Sequence, residues 1–417
     1  MSVQPSRPTL LPGVRVLWRD AGTVQVGTDP TTAVVVSGLP PGSADFLGLL
    51  DGRRTQAEAL AAAADLGLAA EDAEELLGAL HACGALADGD PTAGLGTRLP
   101  GAVRQRLVPE LGGAGRRRAG AARAAPGAWT RTGAGAYGGP GTVVPGRADA
   151  PVQPPGTAPG APPGPTADGP GASGRPVEGP GGNGPPDLVA ARAGARVVVR
   201  GGGRISVPLA ALLAAAGVGH VHVDVDGTVG AAEVAVGGHR ADDVRRPRAT
   251  AAAEAIRAVA PEVDTRPPRA GVTPHFVVLA RAESPPVVAA LTPDTRRVPH
   301  LVLAVRGDVA VVGPLVVPGR TACLHCLYLH RCDRDSHWPV LSAQLTTGPE
   351  EGHCSAAVAA IAAGVAALQV LGHLDGGEPE ALSATLELGS PGRLVRRRSW
   401  QAHPRCGCLR TALADAG

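Results

Sequence analysis

Val197-Val198-Val199-Arg200-Gly201-Gly202-Gly203-Arg204-Ile205-Ser206 is the stretch that decides the fold. Three β-branched residues in a row read as a buried strand, the glycines as a tight turn, and the Ala/Leu run from about Val207 to Ala216 as a helix stopped at Gly217. Val221–Val225 reads as a second strand, which completes a β-α-β unit. Gly201, Gly203 and Ser206, the last in place of a third glycine, match a nucleotide fingerprint placed between strand and helix. There, backbone amides and a helix N-terminus can cradle phosphate. Asp224 and Asp226 end the second strand, where an acid can hold a ribose. The alternative is structural: glycines at this spacing also let a helix lie close against a strand.

Working outward, a helix at about Ala249–Val259, a strand at Phe276–Ala280 and a hairpin of Leu301–Val305 with Val309–Val312 continue the α/β alternation. The Ala-rich segment from Ser355 to Leu371 reads as a helix covering one face of the sheet. Between hairpin and helix stands Cys323-Leu-His-Cys326, and after 79 intervening residues comes Cys406-Gly-Cys408. Each pair can aim two thiolates at one ion. Together they offer a closed tetrahedral set, which suits a structural zinc and leaves no open position for catalysis. Four unconnected thiols, redox pairs, an iron–sulfur cluster, or a set in which His325 or His403 replaces one sulfur are the alternatives. Cys83, Cys332 and Cys354 are scattered, and seven cysteines in 417 residues are too few for a disulfide scaffold. Cys354 adjoins His353, a pairing some nucleophiles use, but sequence neighbours usually point apart. Asp333-Arg334-Asp335 reads as a solvated ion-pair cluster.

Upstream the composition changes. From Gly113 to Asp187 about half the residues are Gly or Pro without a three-residue period. Such a segment buries too little apolar surface to offset its ordering entropy, so residues 96–187 are expected to be a disordered linker. It separates a module of residues 1–95 from one of residues 188–417. In the first, Val14, Val16 and Trp18 alternate with Arg15, Leu17 and Arg19, Val24 and Val26 alternate with Thr23 and Gln25, and Ala33–Ser37 gives a third short strand. A short apolar helix around Leu47–Leu50 follows, then Thr55 and Glu58 form a capping box opening a second helix. Ala73, Leu76, Leu77, Leu80 and Cys83 make one stripe on a third. Three strands followed by three helices describe a small α+β, winged-helix-like module. Glu71, Asp72, Glu74 and Glu75 on the third helix would repel phosphates, whereas an edge strand beside an amphipathic helix can accept an extended peptide. The candidate peptide contacts are Val34, Val36, Leu77, Leu80 and His81.

Composition narrows the function classes. A net charge of +2 and 2% aromatics give no basis for nucleic-acid binding. There is no lysine: all 39 basic residues are arginine, which excludes a lysine Schiff base or a lysine phosphate clamp. No secretory signal opens the chain, and the longest apolar run reads as a packed helix rather than a membrane span, so a cytoplasmic protein with reduced thiols is expected.

Gly201–Ser206, Val223-Asp224-Val225-Asp226, the Gly-Pro-Leu-Val-Val-Pro-Gly run at 313–319 and the two cysteine pairs, in that order, resemble the ThiF-type family, relatives of ubiquitin-activating enzymes. Cys323–Arg331, Trp338-Pro339, Gln344-Leu345 and Trp400 with His403-Pro404 are similar to its actinobacterial branch of cyclodehydratase-like or leader-peptide-binding proteins of thiazole/oxazole-modified peptide pathways. The first module resembles the peptide recognition element fused to that branch. The resemblance implies an α/β, Rossmann-like ThiF-type domain with structural zinc. It also implies ATP and Mg²⁺ held at Gly201, Gly203, Ser206 and Asp224 in an adenylating member. Partners would be a precursor leader peptide and a separate modifying enzyme, YcaO-type or other. Relatives commonly dimerise, so a homodimer is among the expectations.

The chain departs from the family where the chemistry is done. The family's Asn and Arg after the second strand have no counterpart in Gly227–Gly238. Its lysine is absent, and Ala280-Arg281-Ala282-Glu283 stands where a magnesium-binding Asp is expected. Losing one transition-state-stabilising group costs about 3–4 kcal/mol, or 10²–10³ in rate. Three such losses, with Arg204 the one cation in the loop, favour a domain without catalytic residues that serves as a peptide-binding scaffold in modified-peptide (RiPP) biosynthesis. An active ATP-dependent adenylyltransferase is the competing reading, and a dinucleotide oxidoreductase lacks a substrate domain.

Overall fold

In the computed structural model, residues 5–11, 14–28, 33–82, 84–90, 99–119, 185–280, 296–346, 354–389 and 394–408 are described. The N-terminal module comprises β1 (Pro8–Leu10), β2 (Val16–Asp20), β3 (Thr23–Val26), β4 (Val34–Ser37), α1 (Ser43–Gly48), α2 (Gln56–Asp65), α3 (Ala70–Ala82) and β5 (Leu86–Asp88). β2, β3 and β4 form an antiparallel meander, while β1 pairs with β5. The expected capping box is present: the Glu58 amide donates to Thr55 Oγ1, and the Thr55 amide to Glu58 Oε2. The two short strands β1 and β5 were not foreseen, because three residues are too few to show a period. Val24, Val36, Phe46, Leu76 and Leu80 centre the core of this module. Cys83 lies outside the described residues.

The stretch expected as linker from residue 96 carries helix at its front. α4 (Gly101–Ala119) forms despite an internal Pro109, because its flank is pinned to the second module by Arg106 and Glu110. Residues 120–184 lie outside the description. The second module opens with α5 (Pro185–Gly194), slightly ahead of the expected boundary.

From there the chain runs β6 (Arg196–Arg200), α6 (Ser206–Ala215), β7 (His220–Asp224), α7 (Arg248–Val259), β8 (Phe276–Ala280), β9 (His300–Arg306), β10 (Val309–Val316), α8 (Leu324–Arg334), α9 (Trp338–Thr346), α10 (Ala356–Leu374), β11 (Ala384–Leu388) and β12 (Val395–Ser399). One seven-stranded sheet has the order β12-β11-β10-β9-β8-β6-β7. β7, β6, β8 and β9 are parallel, and β9 to β12 are antiparallel. Valines of β6 and β8 alternate between two apolar layers. Val197, Val199, Phe276 and Val278 meet α6, α7 and α10, while Val277 and Leu279 face Val316 and Leu324. α10 is long and apolar enough to cross a membrane by composition, yet its Val358, Ala362, Ala366 and Val370 are packed into the sheet's core.

Four histidines, His239, His275, His300 and His373, titrate below the usual imidazole range, each chiefly because burial disfavours the charged ring. His300 is typical: Nδ1 donates to the Val298 carbonyl at 2.9 Å and Nε2 is buried without a partner. The unfolded rings bind a proton near pH ~6.5 while the folded ones resist it, so their contribution is complete above that pH and is lost as the pH falls. Urea midpoints are expected to decline between about pH 6.5 and 5, and His300→Asn is expected to make that decline shallower.

Candidate functional site

The two cysteine pairs converge. Cys323 caps the start of α8 and Cys326 sits one turn in, while Cys406 and Cys408 arrive on the loop after β12. Sγ–Sγ distances are 3.6 Å for Cys323–Cys406, 3.5 Å for Cys326–Cys408 and 3.8 Å for Cys323–Cys326, and all four sulfurs lie within 4.8 Å of one another. A tetrahedral zinc with bonds of about 2.3 Å separates its sulfurs by about 3.8 Å, so the set can hold such an ion almost as it stands. Cys326 is pushed down to about 4, first by the hydrogen bond from the Cys323 thiol, which is itself pushed up. Burial raises Cys408 to about 11. Deprotonated sulfurs are what a zinc ion requires as ligands, and the four could hold one.

Neither histidine joins the sulfurs. His325 stacks on Tyr328. His403 is buried, with Nε2 donating to Asp333 Oδ2 at 2.7 Å and Nδ1 accepting from the Arg405 amide at 3.1 Å. His330, Asp333 and His403 are close enough to suggest a second metal centre, but both ring nitrogens of His403 are engaged and Arg405 is ion-paired to Asp333. This group is a clip that fastens the Cys406 loop to α8. Asp333-Arg334-Asp335 is therefore no mutual cluster: Asp333 holds His403, Arg334 covers the Trp400 ring at 5.3 Å, and Asp335 pairs with Arg19 at 2.6 Å.

The glycine loop has the expected place between β6 and α6. Gly201 and Gly203 have φ of 112° and 88°, conformations that other residues rarely adopt. The loop is already occupied by the chain itself. Glu233, whose side chain is fully buried, accepts from the Gly203 amide at 3.1 Å, from the Gly230 amide at 2.7 Å and from Arg248 Nε at 2.9 Å. A Cβ on Gly202 would meet Glu233 Oε1 at 3.4 Å and Val225 at 3.3 Å, so that glycine makes room for the protein's own carboxylate. Ser206 Oγ is spent on the Gly202 carbonyl at 2.7 Å. Arg204, the loop's own cation, is buried against other partners. It donates to Glu110 Oε1 at 2.8 Å, the Cys354 carbonyl at 3.1 Å and the Arg106 carbonyl at 2.9 Å. α4 thus rests against the loop.

Asp224 is largely exposed at the end of β7, 3.6 Å from Arg200. It lines a cleft of about 390 Å³ with Val198, Arg200, His222 and the Pro267–Pro274 segment, and no residue of the glycine loop contributes to that lining. Glu283 and His353 lie outside the described residues. Cys354 is buried, which pushes its thiol up to about 12, so it is no activated nucleophile.

Val34, Val36, Leu77 and Leu80 belong to the core of the N-terminal module, and His81 is half-buried beside them. Their side chains are therefore spent on packing; what β4 offers outward is its backbone edge, which has no strand partner among the described residues. Two residues that matter here escaped the sequence reading. Glu233 and Arg248 are the partners that fill the glycine loop, and the one available signal was a lone acid in the apolar run Val229–Val236.

Residues 187–292 match the ThiF family. No curated protein matches the chain. Among solved structures it is similar to E. coli MccB with ATP, at 15% identity over 96% of this chain and 99% of that one, with a TM-score of 0.42. E. coli MccB with MccA-N7isoASN gives 14%, 96%, 99% and 0.43, and PaaA gives 19%, 51%, 75% and 0.41.

Protein purified under reducing conditions is expected to carry one zinc per chain by elemental analysis. Cys406→Ser, which takes one corner from the sulfur set, is expected to release it; metal retained at full stoichiometry in that variant would mean the ion sits elsewhere.

Proposed function

From a ThiF-type domain at residues 187–292, we propose that the chain is a non-adenylating, peptide-binding scaffold in modified-peptide biosynthesis. The N-terminal module, residues 1–95, serves as a winged-helix-like recognition domain that takes a precursor's leader as an added strand on β4. The second module presents a docking surface to a separate modifying enzyme, and zinc on Cys323, Cys326, Cys406 and Cys408 staples its C-terminal half.

The observation that carries this reading is Glu233 in the glycine loop. A nucleotide phosphate at that loop would need the Gly203 amide and the Arg248 guanidinium, and Glu233 already has both. Opening a buried, hydrogen-bonded ion pair costs about 3–5 kcal/mol. At about 1.4 kcal/mol per tenfold, that weakens nucleotide binding by two to three and a half orders of magnitude. It comes on top of the missing lysine and the missing Asn/Arg pair. The separation of the cleft at Asp224 from the glycine loop points the same way. Arg248 is the observation that favours the rival reading, since it puts a cation beside the loop where an adenylating enzyme needs one.

Calorimetry with ATP and Mg²⁺ is expected to give no heat of tight binding, and pyrophosphate exchange is expected to stay at background. Glu233→Ala frees the amides and is expected to strengthen nucleotide binding by at least about tenfold. Peptides selected from a display library are expected to bind the full-length protein with or without ATP. Pyrophosphate exchange driven by such a peptide would overturn the scaffold in favour of an adenylyltransferase.

A further inference from the structure

Trp338 and Gln344, whose likeness to the family branch was noted from sequence, belong to neither the sulfur cluster nor the glycine loop. Both face the N-terminal module. Gln344 on α9 accepts from the Trp18 amide through Oε1 at 2.8 Å and donates to the Trp18 carbonyl through Nε2 at 2.6 Å. One side-chain amide thus satisfies both outward backbone groups of a residue on the edge strand β2, as a neighbouring strand would. Next to it, Leu17 is only 2% exposed and packs with Trp338, Leu341 and Leu345. Arg19 Nη2 meets Asp335 Oδ1 at 2.6 Å, and Arg15 Nη2 donates to the Gln344 carbonyl at 3.1 Å.

We infer that the helical pair α8–α9, rooted in the sulfur cluster, is the seat of the N-terminal module, with Gln344 standing in for a strand along β2, so that β4, which has no strand partner among the described residues, is the edge of that sheet to which a peptide would add. The last clause rests on the peptide-binding reading; the seat does not. α8 is fixed on one flank by Cys323, Cys326 and the Asp333–His403 clip, and on the other it leads through Asp335 into the contact with β2. The Arg331 guanidinium lies over the Trp338 ring at 4.8 Å, which couples the last turn of α8 to the first turn of α9. A metal at the sulfurs therefore holds the surface on which the first module sits. Trp18 is the reporter, because its amide bond leaves the module.

Hydrogen exchange read by mass spectrometry with residue-level fragmentation tests this on the full-length chain. In the metal-loaded protein the Trp18 amide is expected to be protected. In Gln344→Ala, and separately after chelation of the metal under reducing conditions, it is expected to exchange at least about tenfold faster while the β3–β4 ladder keeps its protection. Asp335→Asn, which removes only the ion pair to Arg19, is expected to accelerate residues 16–20 by a smaller factor and serves if Gln344→Ala fails to fold. Unchanged exchange at Trp18 in the side-chain variants overturns the seat, and unchanged exchange after chelation overturns its dependence on the metal. A display-selected peptide is expected to slow exchange along β4. Slowing at Trp18 instead overturns the edge assignment. A library that yields no binder overturns the peptide reading and the edge with it, leaving the seat to be decided by Trp18.

Discussion

Four sulfurs brought within 4.8 Å of one another are the constraint on which the second module's far half depends. As free thiolates they would repel, since two like charges about 4 Å apart cost roughly 4 kcal/mol at an effective dielectric of 20. Shared protons or a bound divalent ion relieve that repulsion. A divalent ion would in addition bridge the two segments. α8 starts at one cysteine pair, and the loop after β12 ends at the other. Trp400 and Arg334, with His403 and Asp333, fill the space between, so the helix is held along its length rather than at one point.

The glycine loop follows a different logic. A helix N-terminus with amides exposed on glycines is an anion site whether or not a ligand is supplied. Left empty and buried, such amides carry a desolvation cost. Here a carboxylate of the chain meets them, and the guanidinium of Arg248 meets the carboxylate. The loop's amides and the neighbouring guanidinium are thus satisfied by a side chain of the chain itself. Arg204, the one cation within the loop sequence, is drawn off by Glu110 and two carbonyls.

Local and regular features could be read from the residues. Strand periodicity in β2 and β3, the Thr55 capping box, the β-α-β order around Gly201 and the metal-ligand spacing of the cysteines each involve neighbours a few residues apart, or a residue type with few other uses. What could not be read were contacts between distant polar side chains. Glu233 lies 30 residues from Gly203, Gln344 lies 326 from Trp18, and Glu110 lies 94 from Arg204. Nothing in the local sequence of a single Glu or Gln specifies which backbone it will meet. α4 was hidden for a related reason. Pro109 and the glycines around it argue against a helix, and tertiary ion pairs override that preference.

Gln344 and Glu233 solve the same problem in two places. An edge strand presents unpaired amides and carbonyls, and a glycine loop presents unpaired amides; either will bind what comes to it if left bare. In each case a polar side chain from elsewhere in the chain occupies the groups and closes the site. The outer strand of the large sheet, β12, is treated differently, with Arg396, Arg397 and Arg398 along an edge that charge keeps from pairing indiscriminately. Against that background β4 stands apart. Val34, Val35 and Val36 are buried and Ser37 is exposed, so it carries no charged side chain, and among the described residues no strand or side chain takes up its outer edge. Of the two edges of the β2-β3-β4 meander, one is met by Gln344 and the other has no strand partner among the described residues, which is the physical ground on which an added peptide strand is proposed there.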